Sequence, residues 1–328
     1  MTALLLAVSF ALIVLGAMLF TNAVEWLGHR LDLGQSAVGS LLAAVGTALP
    51  ESTIPIVAVL AGAEGQEVAI GAIIGAPFML ATVAMVLVAT TAVVFRKRRA
   101  SGAELDVDRA SVRRDLGFFF PSFAVGLALG HVDSKPVHYA GAAVLLGVYA
   151  LYVQRTVKGG GETEGQEELK ALRFDTSKDD PPNGFQIGAQ LAVALGLIIG
   201  GAELFVQEIT KVAESVGVSA LVLALIIAPL ATELPEKLNS VSWMRKGKDM
   251  LAVGNVTGAM AFQSTIPVVL GLTLTEWKLD RFATAAGVLA LAGGALALWR
   301  LERRSAGAPA AVAWAALFAA LVVFVIVG

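Results

Sequence analysis

Two five-residue motifs place a threonine and a glutamate around a proline, inside stretches that are otherwise apolar. They are T-A-L-P-E, from Thr47 to Glu51, and T-E-L-P-E, from Thr232 to Glu236. The threonine and the glutamate of each motif are four residues apart, so they share one face of a helix. Carboxylates, hydroxyls and free carbonyls form an all-oxygen site, which suits hard cations such as Ca²⁺ or Na⁺. We expect all four residues to bind a cation, with the two glutamates as metal ligands.

The prolines of these motifs predict irregular helices. Proline removes a backbone donor and clashes with the carbonyl four residues earlier. A carboxylate near the bilayer centre costs roughly 3 kcal/mol or more unless it is paired or ligates an ion. We therefore expect breaks near Pro50 and Pro235 that bring the two glutamates together at the membrane midplane. The alternative is a protonated glutamate that bonds a carbonyl and joins two helices, but the recurrence of the motif disfavours it.

The composition indicates an integral membrane protein. Of the 328 residues, 57% are hydrophobic and 15% are charged, whereas soluble proteins have about 25% charged residues. A soluble enzyme is therefore excluded, and a net charge of −2 gives no reason to expect a nucleic-acid partner. There is no cysteine for disulfides or thiolate sites. An intramembrane metalloprotease would need clustered histidines, but His29, His131 and His138 are dispersed. We expect no enzyme activity and no cofactor.

Ten segments are apolar enough to form transmembrane helices, each of which needs about 20 such residues. They are 2–24, 35–61, 68–95, 115–130, 137–154, 185–210, 217–243, 250–274, 281–299 and 308–327. The first lacks a basic start and a clear cleavage site, so we interpret it as a retained helix and not as a signal peptide. The predicted fold class is an all-α integral membrane protein of ten transmembrane helices, spans 1 to 10.

The distribution of basic residues predicts the orientation of these spans. The odd-numbered loops carry 19 of the 24 Lys and Arg residues. Because basic residues are concentrated in cytoplasmic loops, loops 96–114 and 155–184 are predicted to be cytoplasmic and both termini to lie outside. The expected location is the plasma membrane, as a multi-pass protein whose partners are lipid and inorganic cations.

The chain contains an internal repeat. Residues 16–52 align without a gap with residues 201–237 at an offset of 185, and the two proline motifs coincide. Residues 71–78 align with 254–261 at an offset of 183, and the alignment pairs glycines four residues apart. Such small residues let helices approach closely, so spans 3 and 8 are expected to abut the two broken helices.

The repeat divides the chain into a first half, 1–154, and a second half, 185–328, joined by a cytoplasmic linker, 155–184. Each half contains five predicted spans. An odd number of spans forces the second half to insert upside down. The predicted architecture is two inverted-topology repeats of five helices, with helices 2 and 7 broken at the midplane, as in many secondary transporters.

These motifs resemble those of the sodium/calcium exchanger superfamily of cation antiporters. The family shows G-[TS]-S-L-P-E in spans 2 and 7, and G-N-[IV]-[IV]-G-S-N-I in spans 3 and 8. Residues 46–51 (G-T-A-L-P-E), 231–236 (A-T-E-L-P-E) and 254–258 (G-N-V-T-G) resemble these patterns. The resemblance implies alternating access, in which spans 1 and 6 slide across a core of the other eight.

The chain departs from the family pattern at several ligand positions. The Ser-Asn pair is replaced by Ala76-Pro77 in one half and by Ala259-Met260 in the other. The serine that follows the motif threonine is Ala48 in the first half and Glu233 in the second, and the polar position after the glycine motif is Leu80 or Gln263. Glu233 and Gln263 therefore join the candidate cation-binding residues.

Lys237 is an addition to the pattern, matched by Ser52 in the first half, and both are candidate site-modulating residues. Three arrangements are open for Lys237. It pairs with Glu233 four residues earlier, it acts as a built-in cation that faces Glu51 or Glu236, or it snorkels. The built-in cation favours proton coupling, since a desolvated lysine near carboxylates titrates closer to neutral pH.

The predicted function is secondary active antiport by alternating access, with Ca²⁺ or another cation exchanged for Na⁺. The alternative is a cation/H⁺ antiporter that uses Glu51 and Glu236 as shared proton and cation sites. A passive channel is disfavoured, because inverted repeats with asymmetric sites favour a carrier.

Overall fold

The computed structural model describes residues 1–30, 43–158, 171–174, 182–304 and 307–327. For residues 28, 43–50, 63, 64, 157, 231, 234–236 and 239 it describes the backbone alone. The protein is all-α, and its helices in the described part are α1 Thr2–Arg30, α2 Ala43–Leu60, α3 Ala63–Met79, α4 Met85–Val94, α5 Arg109–Leu129, α6 Lys135–Lys158, α7 Gly184–Val216, α8 Ala220–Thr232, α9 Leu234–Arg245, α10 Asp249–Gln263, α11 Ile266–Leu274, α12 Arg281–Glu302 and α13 Ala308–Val327.

Seven segments of the described chain are long and apolar enough to cross a membrane. They confirm that this is an all-α membrane protein. Each of the ten predicted spans overlaps at least one helix, but three fall outside the seven. Among the described residues, spans 2 and 7 contain the shorter apolar helices Glu51–Leu60 and Ala220–Leu230. The helix of span 4, α5, begins before the span with several charged residues in its first turns. The number of ten spans stays a prediction.

Span 7 is interrupted at Glu233, where α8 ends and α9 begins. The backbone angles of Glu233 are φ −95° and ψ 0°, which lie outside the helical region. Pro235 lies in the first turn of α9. A proline is tolerated there because its missing N–H would have no helical partner. The interruption therefore precedes the proline by two residues.

The predicted break at Pro50 is not found. The helix α2 continues through this position from Ala43 to Leu60. Proline removes a single backbone hydrogen bond, and a helix can bend around that loss without ending. The proposed pair of broken helices is thus asymmetric in the described chain.

Spans 3 and 8 are also irregular, at depths related by the repeat. Span 3 contains a π-helical turn, Leu80–Ala84, shortly after Pro77. Span 8 is interrupted at Ser264 and Thr265, between α10 and α11. The hydroxyls of both residues donate to the backbone oxygen of Ala261, at 2.9 and 3.0 Å. These bonds satisfy a carbonyl near the helix end.

The two longest helices, α1 and α7, pack along each other. A Cβ built on Gly16 would lie 2.7 Å from Cγ1 of Ile198, and one built on Gly201 would lie 2.9 Å from Cγ1 of Ile13. Residues 16 and 201 are equivalent in the repeat, and so are 13 and 198. Each half therefore makes the same contact to the other.

The glycines of the second repeated motif differ between the halves. A Cβ on Gly71 would lie 2.4 Å from the backbone oxygen of Leu221, and one on Gly75 would lie 2.1 Å from that of Leu225. Span 3 thus abuts α8, as predicted. For Gly254 and Gly258 the nearest described atoms lie at 4.0 and 3.6 Å, so the expected close contact with span 2 is not seen among described residues.

Candidate ion-binding site

Three buried polar side chains meet at the interruption of span 7, and we call Glu233, Lys237 and Gln263 the polar centre. Nζ of Lys237 lies 2.7 Å from Oε2 of Glu233, and Nε2 of Gln263 donates to Oε1 of Glu233 at 3.1 Å. The side chains of Lys237 and Glu233 are 3% and 0% exposed. Of the three arrangements considered for Lys237, the structure has the pair with Glu233.

The local backbone explains why Glu233 and Lys237 meet. The backbone N–H of Lys237 donates to the carbonyl of Glu233 at 3.0 Å, so the two residues span the first turn of α9. Side chains four residues apart on a helical turn lie on the same face. The acid precedes the base, which is the more favourable order for such a pair.

Gln263 joins the polar centre from a second chain interruption. It is the last residue of α10, immediately before the break in span 8. Its amide nitrogen faces Glu233 because an ionised carboxylate only accepts hydrogen bonds. Oε1 of Gln263 is buried and has no hydrogen-bond partner among the described residues. The centre therefore contains an acceptor oxygen that remains open to a donor or a cation.

The remaining predicted site residues are distributed around this centre. Thr232 is buried, and its hydroxyl donates to the carbonyl of Ala228 at 3.3 Å, on its own helix. Glu51 and Ser52 are half-buried on α2. The side chains of Thr47 and Glu236 lie outside the described residues, although their backbones belong to α2 and α9. The convergence of Glu51 and Glu236 stays a prediction.

No group of three or more His, Asp or Glu side chains lies in an arrangement that could hold a metal ion, within the part of the chain whose side chains the structure describes. The predicted metal ligand Glu236 falls outside that part.

A second buried polar cluster was missed by the sequence analysis. The carboxylate of Asp115, on α5, accepts hydrogen bonds from Thr257 at 2.8 Å, from Tyr152 at 3.2 Å and from Arg114 at 3.1 Å. Asp115 is 3% exposed. Thr257 belongs to the repeated glycine motif, so this cluster ties span 8 to spans 4 and 5. The signal in the sequence was one acid at the predicted start of span 4.

A buried ion pair also fixes the loop that was predicted to be cytoplasmic. Arg99 pairs with Asp249, the first residue of α10, and both side chains are almost fully buried. Arg99 also donates to the carbonyls of Gly102 and Glu104, at 2.7 and 2.9 Å. Asp249 accepts from the backbone N–H of Asp106 at 2.9 Å. The basic loop is therefore folded against the start of span 8.

Both halves of the chain match a single known protein family. The model of the sodium/calcium exchanger protein family matches residues 1–157 and 187–327, which include both halves of the repeat. The chain belongs to the sodium/calcium exchanger protein family. The resemblance predicted from the proline and glycine motifs is confirmed.

Relatives and solved structures agree with this membership. CaxA of Alkalimonas amylolytica, which bears the name of an antiporter, is 22% identical over 299 residues that cover 90% of this chain and 88% of CaxA. The crystal structure of the H⁺/Ca²⁺ exchanger CAX has a TM-score of 0.73 at 20% identity and covers 100% of this chain and 82% of that one. A structure of the sodium-calcium exchanger NCX_Mj has a TM-score of 0.61 at 17% identity and covers 98% and 97%. This exchanger-family chain therefore shares their fold along its whole length.

Proposed function

We propose that this protein is a secondary active antiporter that carries Ca²⁺ or another cation across the plasma membrane by alternating access. The observation that carries the proposal is the polar centre. There, the interruptions of spans 7 and 8 place buried carboxylate and amide oxygens beside the second proline motif. Irregular backbone at membrane depth is tolerated where protein buries it or where it lines a water-filled cavity. Membership of the exchanger family supports an inorganic cation as the cargo.

The proposed transport site consists of the two repeated motifs. Glu51 and Glu236 are the cation ligands, and Thr47 and Thr232 supply hydroxyls from the same helix faces. The reciprocal contact of α1 and α7 supports the inverted repeat, since equivalent residues contact each other across a two-fold axis in such an arrangement. In this proposal α1 and α7 slide across the other helices and expose the site to each side in turn.

The first candidate for the counter-ion is Na⁺. NCX_Mj is a sodium-calcium exchanger by name, and the all-oxygen ligands of the motifs suit Na⁺ as well as Ca²⁺. In this version Na⁺ and Ca²⁺ occupy the same carboxylates alternately.

The second candidate is H⁺, with Glu51 and Glu236 alternately binding protons and the cargo cation. The specific observation that favours it is the pair of Lys237 with Glu233, which holds a fixed positive charge next to the second proline motif. CAX, which also shares the fold, is an H⁺/Ca²⁺ exchanger by name.

Flux measurements in proteoliposomes test the function. Ca²⁺ uptake is followed while Na⁺, K⁺ and pH gradients are imposed one at a time, and other divalent cations replace Ca²⁺ in parallel. We expect uptake that requires a counter-gradient and stops when the gradient is dissipated. Uptake that continues without any counter-ion would indicate a channel and would reject antiport.

A further inference from the structure

Lys237 supplies a positive charge inside the polar centre. Its side chain is 3% exposed and contacts the carboxylate of Glu233, which is 0% exposed, at 2.7 Å. A buried carboxylate needs a counter-cation, because the transfer of a charged group from water into the protein interior is unfavourable in free energy. Here that counter-cation is covalently part of the chain, so it cannot leave into either aqueous phase.

The carboxylate that Lys237 contacts, and the amide bonded to it, carry oxygens of the kind that a small cation would use. Glu233 offers carboxylate oxygens, and Gln263 offers a buried carbonyl oxygen that has no hydrogen-bond partner among the described residues. Hard monovalent and divalent cations bind to such oxygen ligands. The ammonium group of Lys237 lies against the Glu233 carboxylate, where a metal ion would otherwise balance the negative charge.

Both charges of the pair are absent from the other half. The repeat aligns Glu233 with Ala48 and Lys237 with Ser52. The second half therefore carries an additional acid and an additional base, and the sum of their charges is zero. A pair of this kind adds a cation position and fills it at the same time.

We propose that the ammonium group of Lys237 permanently occupies a monovalent-cation position beside the transport site, so that antiport does not use Na⁺ at this position. This inference rests on the proposed function and selects between its counter-ions. A Na⁺ ion cannot share the position, because like charges repel strongly at contact distance in a low-dielectric interior. With this position filled, Na⁺ has no ligands apart from the carboxylates that Ca²⁺ itself occupies, and we therefore take the proton as the counter-ion.

The experiment compares Na⁺ with choline at equal ionic strength. Ca²⁺ uptake by wild-type proteoliposomes is measured with an imposed pH gradient, and the melting temperature of the purified protein is measured in both salts. We expect wild-type uptake and melting temperature to be the same in Na⁺ and choline. The double variant Glu233→Ser/Lys237→Ser removes the ammonium together with its carboxylate, opens the position and leaves two serine hydroxyl oxygens as ligands for Na⁺. Ca²⁺ uptake by this variant should be about tenfold higher in Na⁺ than in choline, equivalent to about 1.4 kcal/mol. Its melting temperature should also be higher in Na⁺ than in choline.

A second double variant, Glu233→Gln/Lys237→Met, is the matched control. It also removes both charges but keeps the volume of both side chains, so the position stays filled, and the variant should fold and stay insensitive to Na⁺. Wild-type uptake that a Na⁺ gradient drives would overturn the inference and leave antiport intact. Absence of uptake under every gradient would reject the proposed function instead. The melting temperatures test the inference independently of transport. A wild-type melting temperature that rises with Na⁺ would overturn it, and so would a folded serine variant whose melting temperature does not rise with Na⁺.

Discussion

Gly16 of α1 lies so close to Ile198 of α7 that a Cβ on the glycine would be 2.7 Å from Cγ1 of the isoleucine. The contact between Gly201 and Ile13 has the same geometry in reverse, with 2.9 Å between the corresponding atoms. The offset of 185 residues relates one contact to the other. The helices α1 and α7 therefore contact each other through equivalent residues, as the proposed sliding pair of an inverted repeat requires.

Alanine at Gly16 or Gly201 should push these two helices apart. The added Cβ at Gly16 would also lie 2.9 Å from the backbone oxygen of Ala194, which cannot rotate away. Overpacking of this kind typically costs about 1–3 kcal/mol, so we expect a lower melting temperature in detergent. Gly196→Ala is the control on α7, since no described atom lies within 4 Å of its added Cβ. Equal melting temperatures for Gly16→Ala and Gly196→Ala would contradict the close contact.

The repeated glycine motif should tolerate substitution in one half only. At Gly75 the added Cβ would lie 2.1 Å from the backbone oxygen of Leu225, so a backbone must move. At the equivalent Gly258 the nearest described atom is the Tyr152 hydroxyl at 3.6 Å, which is ordinary contact. We expect Gly75→Ala to lose folded protein and Gly258→Ala to keep it, as measured by size-exclusion profiles in detergent. Loss of folded protein in Gly258→Ala but not in Gly75→Ala would contradict the difference in packing between the two halves.

Much of the helical framework could be predicted from apolar length, because each predicted span contains a helix. The positions of the interruptions were harder to predict, since they depend on packing as well as on proline. Pro50 lies within a continuous helix, whereas span 8 is interrupted at Ser264, where the sequence suggested none. A proline alone does not determine whether a helix bends or ends.

The same limit applies to the polar side chains. The contact of Lys237 with Glu233 follows from a spacing of four residues, which sequence reasoning can use. The bonds from Gln263 to Glu233 and from Thr257 to Asp115 join residues 30 and 142 positions apart. Their formation depends on how separate helices pack, and no local pattern encodes that.

Substitution of either motif glutamate should abolish exchange while the protein stays folded. Glu51→Gln and Glu236→Gln each keep the side-chain volume and remove a carboxylate that the cargo cation needs. We expect no Ca²⁺ uptake above that of empty liposomes and an unchanged elution profile. Glu67→Gln, at an exposed position at the start of α3, is the control and should transport normally. Wild-type flux in either motif variant would refute the site assignment.

The cluster around Asp115 should stabilise the packing of span 8 against spans 4 and 5. Thr257→Val removes a hydroxyl donor at nearly constant volume, and the loss of one such hydrogen bond costs about 1–3 kcal/mol when the partner stays buried and charged. Asp115→Asn removes the negative charge that accepts the hydrogen bonds of this cluster. In a double-mutant cycle the two changes should be non-additive, since both act on the same hydrogen bond. Additive losses of unfolding free energy would indicate that Thr257 and Asp115 do not interact.

Removal of Lys237 alone should destabilise the protein, because it leaves Glu233 as an uncompensated buried carboxylate. The loss of one partner of a buried pair typically costs about 3–5 kcal/mol, which predicts a marked fall in melting temperature for Lys237→Ser. Glu233→Ala in the same chain removes the unpaired buried carboxylate that causes this loss, so the double variant should recover most of the stability. Lys211→Ser is the control, since Lys211 also contacts a buried glutamate, Glu208, at 2.6 Å, but its own side chain is 58% exposed. Solvent can replace Lys211, and the change should have little effect. If Lys237→Ser melts like the wild type, the pair does not stabilise the fold.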